Sequence, residues 1–161
     1  MDVFFSSSIG LKLSPEQVVR ELARFMREDE TRAYKLTIGT DSELTQGKTA
    51  DFVTAIVIHR VGNGGRYFWR RIQGGRVFHT LRDRILEEVL ISLDVAKHFL
   101  ELVRQTPELP HFDFEIHVDV GENGETRSMI QELVGMVRAN NFEAKTKPES
   151  YAATNVADKH V

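Results

Sequence analysis

The sequence predicts a single α/β domain of residues 1–161: a five-stranded mixed sheet in the order 3-2-1-4-5, flanked by helices and preceded by an extra helix. Three observations lead there. Residues 34–73 hold three β-patterned runs separated only by loop signals, the mark of an antiparallel meander. Beyond residue 80, helical periodicity alternates with short β-patterned runs, as parallel strands joined by crossovers require. Crossovers are right-handed, so strands 1, 4 and 5 run parallel while strands 2 and 3 fold back off strand 1.

Residues 1–12 read as a loosely attached arm. Ser14-Pro15-Glu16-Gln17 then opens a helix, with Ser as cap, Pro at the first helical position and Gln closing a capping box. Val18, Val19, Leu22, Phe25 and Met26 make one apolar stripe, so residues 14–29 form a helix added in front of a core spanning 34–160. In strand 1, Leu36 and Ile38 alternate with Lys35 and Thr37 up to Asp41. Glu43 to Lys48 is a hairpin loop, and Ala50 to Arg60 is β-branched and apolar enough for a central strand. Asn63-Gly64-Gly65 makes the next tight turn, and Arg66 to Gln73 returns as strand 3.

The longest helix covers Thr80 to Gln105 and is bounded by Pro107 and Pro110. Asp113 to Val118 alternates as strand 4. A loop over Gly121 to Gly124 leads to a helix from Thr126 to Asn140, with Met129, Ile130, Leu133, Val134 and Val137 inward. Phe142 to Lys147 is strand 5, and a short final helix begins at Ser150.

Composition narrows the function classes. Hydrophobic content of 41% and charged content of 28% fit a soluble globular protein. The absence of cysteine excludes disulfides and thiolate metal sites and agrees with a cytoplasmic protein. Asp2 stands where a signal peptide carries positive charge, and the run Phe52 to Ile58 is far short of the roughly 20 residues a membrane span needs. A net charge of −3 excludes coating nucleic acid by bulk charge but leaves room for a local basic face.

Four acids stand at matching places. Ligands of open α/β sheets collect at the carboxyl ends of the parallel strands, where the connections change direction. Asp41 follows strand 1 and Asp119 follows strand 4, so the two are predicted neighbours. On the long helix, 100° steps centre the buried face on Ile85, Leu86, Val89, Leu93, Ala96 and Leu100. Glu87 then points to water, whereas Glu88 falls on the shoulder beside Ser92. Asp158 belongs to the closing Val156-Ala157-Asp158-Lys159. Taken singly, each acid reads better as a turn or surface residue; Arg84 beside Glu88 would add only about 0.3–0.5 kcal/mol. Jointly they form a set that repels itself unless cations neutralise it or some members stay protonated. Hard oxygen ligands without His or Cys suit Mg²⁺ or Mn²⁺, and two such ions about 3.5–4 Å apart clamp a phosphodiester displacement.

The stretches Ile38-Gly39-Thr40-Asp41-Ser42, Thr80-Leu81-Arg82 running into Glu88, His117-Val118-Asp119-Val120-Gly121, Val134-Gly135-Met136-Val137, Lys147-Pro148-Glu149-Ser150-Tyr151-Ala152 and Val156-Ala157-Asp158-Lys159 resemble the ribonuclease-H-like fold, and within it the bacterial YkuK-type proteins. The resemblance covers about residues 34 to 160. It implies a divalent-metal-dependent nuclease acting on RNA, DNA or a hybrid, with the acidic quartet carried by Asp41, Glu88, Asp119 and Asp158. Ser42, Lys147 and Glu149 are candidates to support those ligands from behind.

Six arginines crowd between Arg66 and Arg84, interleaved with Tyr67, Phe68, Trp69 and Phe78. Arginine with aromatics suits phosphates and stacked bases, which makes Arg66, Arg70, Arg71, Arg76 and Arg82 candidate nucleic-acid contacts. An edge strand guarded by charge explains them equally well. The alternative function is a non-catalytic module that keeps the fold and binds nucleic acid or protein. His59 and His117 read as ordinary strand residues.

Overall fold

Ser14 closes the first helix as its capping box dictates: its hydroxyl accepts from the Gln17 N–H (3.2 Å) while its own N–H donates to Gln17 Oε1 (2.8 Å). The computed structural model describes residues 4–122, 124–147, 149–150, 156–157 and 160. In chain order its elements are β1 (Phe5–Ser7), β2 (Lys12–Leu13), α1 (Pro15–Arg27), β3 (Tyr34–Leu44), β4 (Ala50–Arg60), β5 (Gly65–Gln73), α2 (Leu81–Arg104), β6 (Phe112–His117), α3 (Ile130–Ala139) and β7 (Glu143–Lys145). Val156, Ala157 and His160 also have helical backbone.

The strands form one mixed sheet in the order β2-β1-β5-β4-β3-β6-β7. Five of these, β5-β4-β3-β6-β7, reproduce the order expected from sequence, but the sheet has seven strands, not five. The two extra strands lie in the stretch expected to be a loose arm. Ser6 pairs with Trp69 and Ser7 with Phe68, so β1 covers the edge that β5 would otherwise expose. Phe5 is buried there, edge-on to Phe99 of α2 at 5.4 Å between centroids.

β3 also runs past Asp41 to Leu44, because β4 pairs with it along its whole length, from Tyr34↔Arg60 to Leu44↔Ala50. β3 carries the parallel ladder to β6 on its other side, from Tyr34↔Phe112 to Gly39↔His117. β4 keeps the expected bounds.

Alternation gives the sheet two unlike faces. Tyr34, Leu36 and Ile38, with Ile56, Ile58, Phe68 and Ile116, pack under α1 and α2 in the main core. Burying an Ile or Leu side chain of this kind contributes about 1.5–3 kcal/mol. The opposite face carries Lys35, Thr37, Gly39 and Asp41 beside Val53 and Ala55 of β4 and Glu115 and His117 of β6. Ala157 and Val156 pack there against Val53, Ala55 and Trp69. His160 lies flat on Trp69, with 4.2 Å between ring centroids and 8° between planes. No helix among the described residues is long and apolar enough to cross a membrane.

Candidate functional site

The site begins where two strands part. The parallel ladder between β3 and β6 ends at Gly39↔His117, while β3 continues on β4 alone. Asp41 and Asp119 each stand two residues beyond that last pair. After β6 the chain stays tied to the far side: Val118 N–H donates to Lys145 O (2.9 Å) and Lys147 N–H to Val120 O (2.8 Å). Between them the Val120 N–H turns back to Val118 O (2.8 Å), a three-residue turn with Asp119 at its apex.

Glu88 approaches the same edge from α2. It is buried, 6% exposed, and its Oε1 accepts a 2.5 Å hydrogen bond from Ser42 Oγ. Arg84, one turn earlier, donates to Ser42 O (3.0 Å) and Ser42 Oγ (3.3 Å). One turn later, the Ser92 hydroxyl is hydrogen-bonded to Thr40 Oγ1 (2.7 Å), which also meets Thr54 Oγ1 (2.9 Å). These hydroxyls face α2, so Thr40 and Ser42 point to one side of β3 and Asp41 to the other.

Burial pushes the Glu88 carboxyl well above the usual carboxylate range. Ser42 and Arg84 oppose that rise, and the negative charges of Asp41 and Asp119 add to it. The three acids therefore feel one another. Lys147 stands among them: its Nζ is 2.9 Å from Asp119 Oδ1, and Asp119, Asp41 and Glu88 together hold its ammonium above the ordinary value. Asp41 accepts from the Ser42 N–H at 2.9 Å.

The remaining sequence candidates fall elsewhere. Asp158 lies outside the described residues, and Glu149 is exposed. The arginines are divided among internal partners. Arg66 lies over the Phe25 ring (4.6 Å), and Arg70 over Phe5 (5.4 Å), where burial lowers its pKa. Arg71 pairs with Asp51 (2.5 Å), Arg76 with Glu87 (3.3 Å) and Arg82 with Glu132.

Two features escaped the sequence. Arg84 reaches Ser42 rather than pairing simply with Glu88; the one-turn spacing to Glu88 was the available signal. His117, expected to be an ordinary strand residue, forms a buried pair with Glu115 at 3.0 Å, with Lys35 3.8 Å from the same Glu115 oxygen. His117 also hydrogen-bonds the Ser150 backbone, and burial outweighs Glu115 to lower its pKa.

The oxygen donors at this edge suit a hard divalent ion, and two mutually repelling acids beside a buried third create the negative potential that draws one. Among the described residues, no three Asp, Glu or His side chains are gathered as a ready metal cage. Asp119 and Glu88 instead hold Lys147 and Ser42.

Over 153 residues the chain is 34% identical to "Uncharacterized protein YkuK" of Bacillus subtilis (strain 168), covering 89% of this chain and 88% of that protein. No solved structure matches it. The Ribonuclease H-like family description matches residues 17–161, a span that takes in β3 to β7 and all three acids at the parting edge, and the chain belongs to that family.

Proposed function

We propose that the protein is a divalent-metal-dependent nuclease that hydrolyses phosphodiesters of RNA, DNA or an RNA/DNA hybrid. The observation that carries this reading is the electrostatic convergence at the β3–β6 edge. Burial opposes the charged form of Glu88, as do Asp41 and Asp119, and a cation relieves both effects at once. Asp41, Glu88 and Asp119 would hold Mg²⁺ or Mn²⁺, with Asp158 completing the set. A divalent ion held there would supply Lewis-acid activation of a water and stabilisation of charge on the leaving oxygen.

The chain's own groups do the rest. Ser42 and Arg84 fix the Glu88 carboxylate, and the Thr40–Ser92 hydrogen bond pins α2 to β3. The backbone turn at Val118–Val120 aims Asp119.

The test is cleavage of labelled RNA, DNA and hybrid oligonucleotides with Mn²⁺ or Mg²⁺. Asp41→Asn should abolish it while the thermal midpoint holds or rises, since repulsion is relieved. Retained cleavage in that variant would end the reading. The second reading, a binding module without cleavage, is favoured by the protein partners that Asp119 and Glu88 already have. It predicts salt-dependent oligonucleotide binding that Asp41→Asn and Asp119→Asn leave unchanged.

A further inference from the structure

A lysine in the midst of an acidic edge is the feature the proposed chemistry leaves unused. We propose that Lys147 is the resident cation of this site, holding Asp119 where a second metal ion would otherwise sit, so that the site takes one divalent ion rather than two. The inference rests on the metal-dependent reading and deepens it.

Two observations carry it. The ammonium is 2.9 Å from Asp119 Oδ1, a charge-assisted contact that occupies one of the two oxygens Asp119 could offer to ions. Its position is also set by the backbone. Lys147 N–H is bonded to Val120 O, continuing the β6–β7 ladder one step beyond the strand. The lysine stem then runs against Gly121, where a Cβ would stand 3.0 Å from Lys147 Cβ and 3.5 Å from Cδ. A Cβ there would crowd the stem by a few tenths of an ångström.

The lysine side chain is 59% exposed, so the ion pair adds little to stability. Its effect is local charge. Two divalent ions bound beside the ammonium and the Arg84 guanidinium would repel each other as well as both cations, whereas one ion meets only the weaker repulsion of the side chains. An ammonium neutralises and donates hydrogen bonds but accepts none, so it can stand in for the charge of an ion and not for its water-activating role.

The experiment is a Mn²⁺ titration of the intact protein, followed by calorimetry and by the electron paramagnetic resonance signal of free Mn²⁺. The wild type should bind one ion. Lys147→Gln should bind a second ion, or bind the first about tenfold tighter, the effect expected on removing roughly one opposing charge. Lys147→Arg, which keeps the charge, should retain a single ion. Gly121→Ala, which displaces the stem without touching the ammonium, should move towards the Lys147→Gln result. Two ions in the wild type, or a Lys147→Gln titration identical to it, would overturn the proposal while leaving metal dependence standing. Absence of Mn²⁺ binding in wild type and Lys147→Gln alike would overturn both.

Discussion

Ser42 on β3 donates a 2.5 Å hydrogen bond to Glu88 on α2, and the acceptor is a carboxyl group with almost no access to water. One strand residue and one helix residue, 46 positions apart, thus fix the wall of the acidic edge. Arg84 seals the arrangement by bonding Ser42 through both its carbonyl and its hydroxyl.

Glu88 should make the metal-free protein sensitive to alkali. Its pKa is raised in the fold, so the folded protein keeps a proton that the unfolded chain gives up near the ordinary value of 4.5. The resulting stability is complete below that value and is lost as pH rises through the folded value. Glu88→Gln, measured by thermal unfolding in EDTA, should therefore gain on the wild type as pH increases. At this chain length each kcal/mol relieved raises the midpoint by roughly 2–4 °C. A constant difference between the two proteins across pH would contradict the assignment.

His117 has the opposite slope. Burial holds its pKa below the ordinary 6.5, so the unfolded chain takes up a proton that the folded protein resists. Stability from this group is complete above 6.5 and declines as pH falls below it. A histidine-resolved NMR titration should place His117 below 6.5, and a midpoint at or above that value would show that Glu115 outweighs burial.

Trp69 is the chain's only tryptophan, and its ring is stacked on His160. Stacked pairs of this kind contribute about 0.5–1.5 kcal/mol beyond their buried area. His160→Ala should brighten or red-shift Trp69 emission and lower the unfolding midpoint by a few degrees, at roughly 2–4 °C per kcal/mol. Unchanged emission would mean that the ring is not covered in solution.

The long elements were legible because their signals are redundant. β4 is rich in β-branched residues, and α1 carries a cap, a proline and a stripe that agree with one another. The nearness of Asp41 to Asp119 was legible for another reason: strand direction and crossover hand leave one place for each. What escaped was local or depended on a partner. β1 and β2 are too short for periodicity to register. β3 overran Asp41 because β4, not its own composition, holds its end. The arginines cluster in sequence but scatter in space, since Arg70 and Arg71 point to opposite faces of β5 and each finds a different neighbour. His117 read as an ordinary strand residue because alternation cannot tell that a second face is covered.

The two ladders on β3 differ in how far apart their halves lie along the chain. β3 and β4 are joined by a five-residue loop, whereas β3 and β6 wait for 24 residues of α2 to fold across the sheet. Short-range pairings close before distant ones because less chain entropy is lost. Asp41 is thus seated early and meets Asp119 late, so the acidic edge is a product of the last assembly steps. Pulsed hydrogen exchange during refolding should protect the amides of β4 before those of β6, and the reverse order would show that α2 docks first.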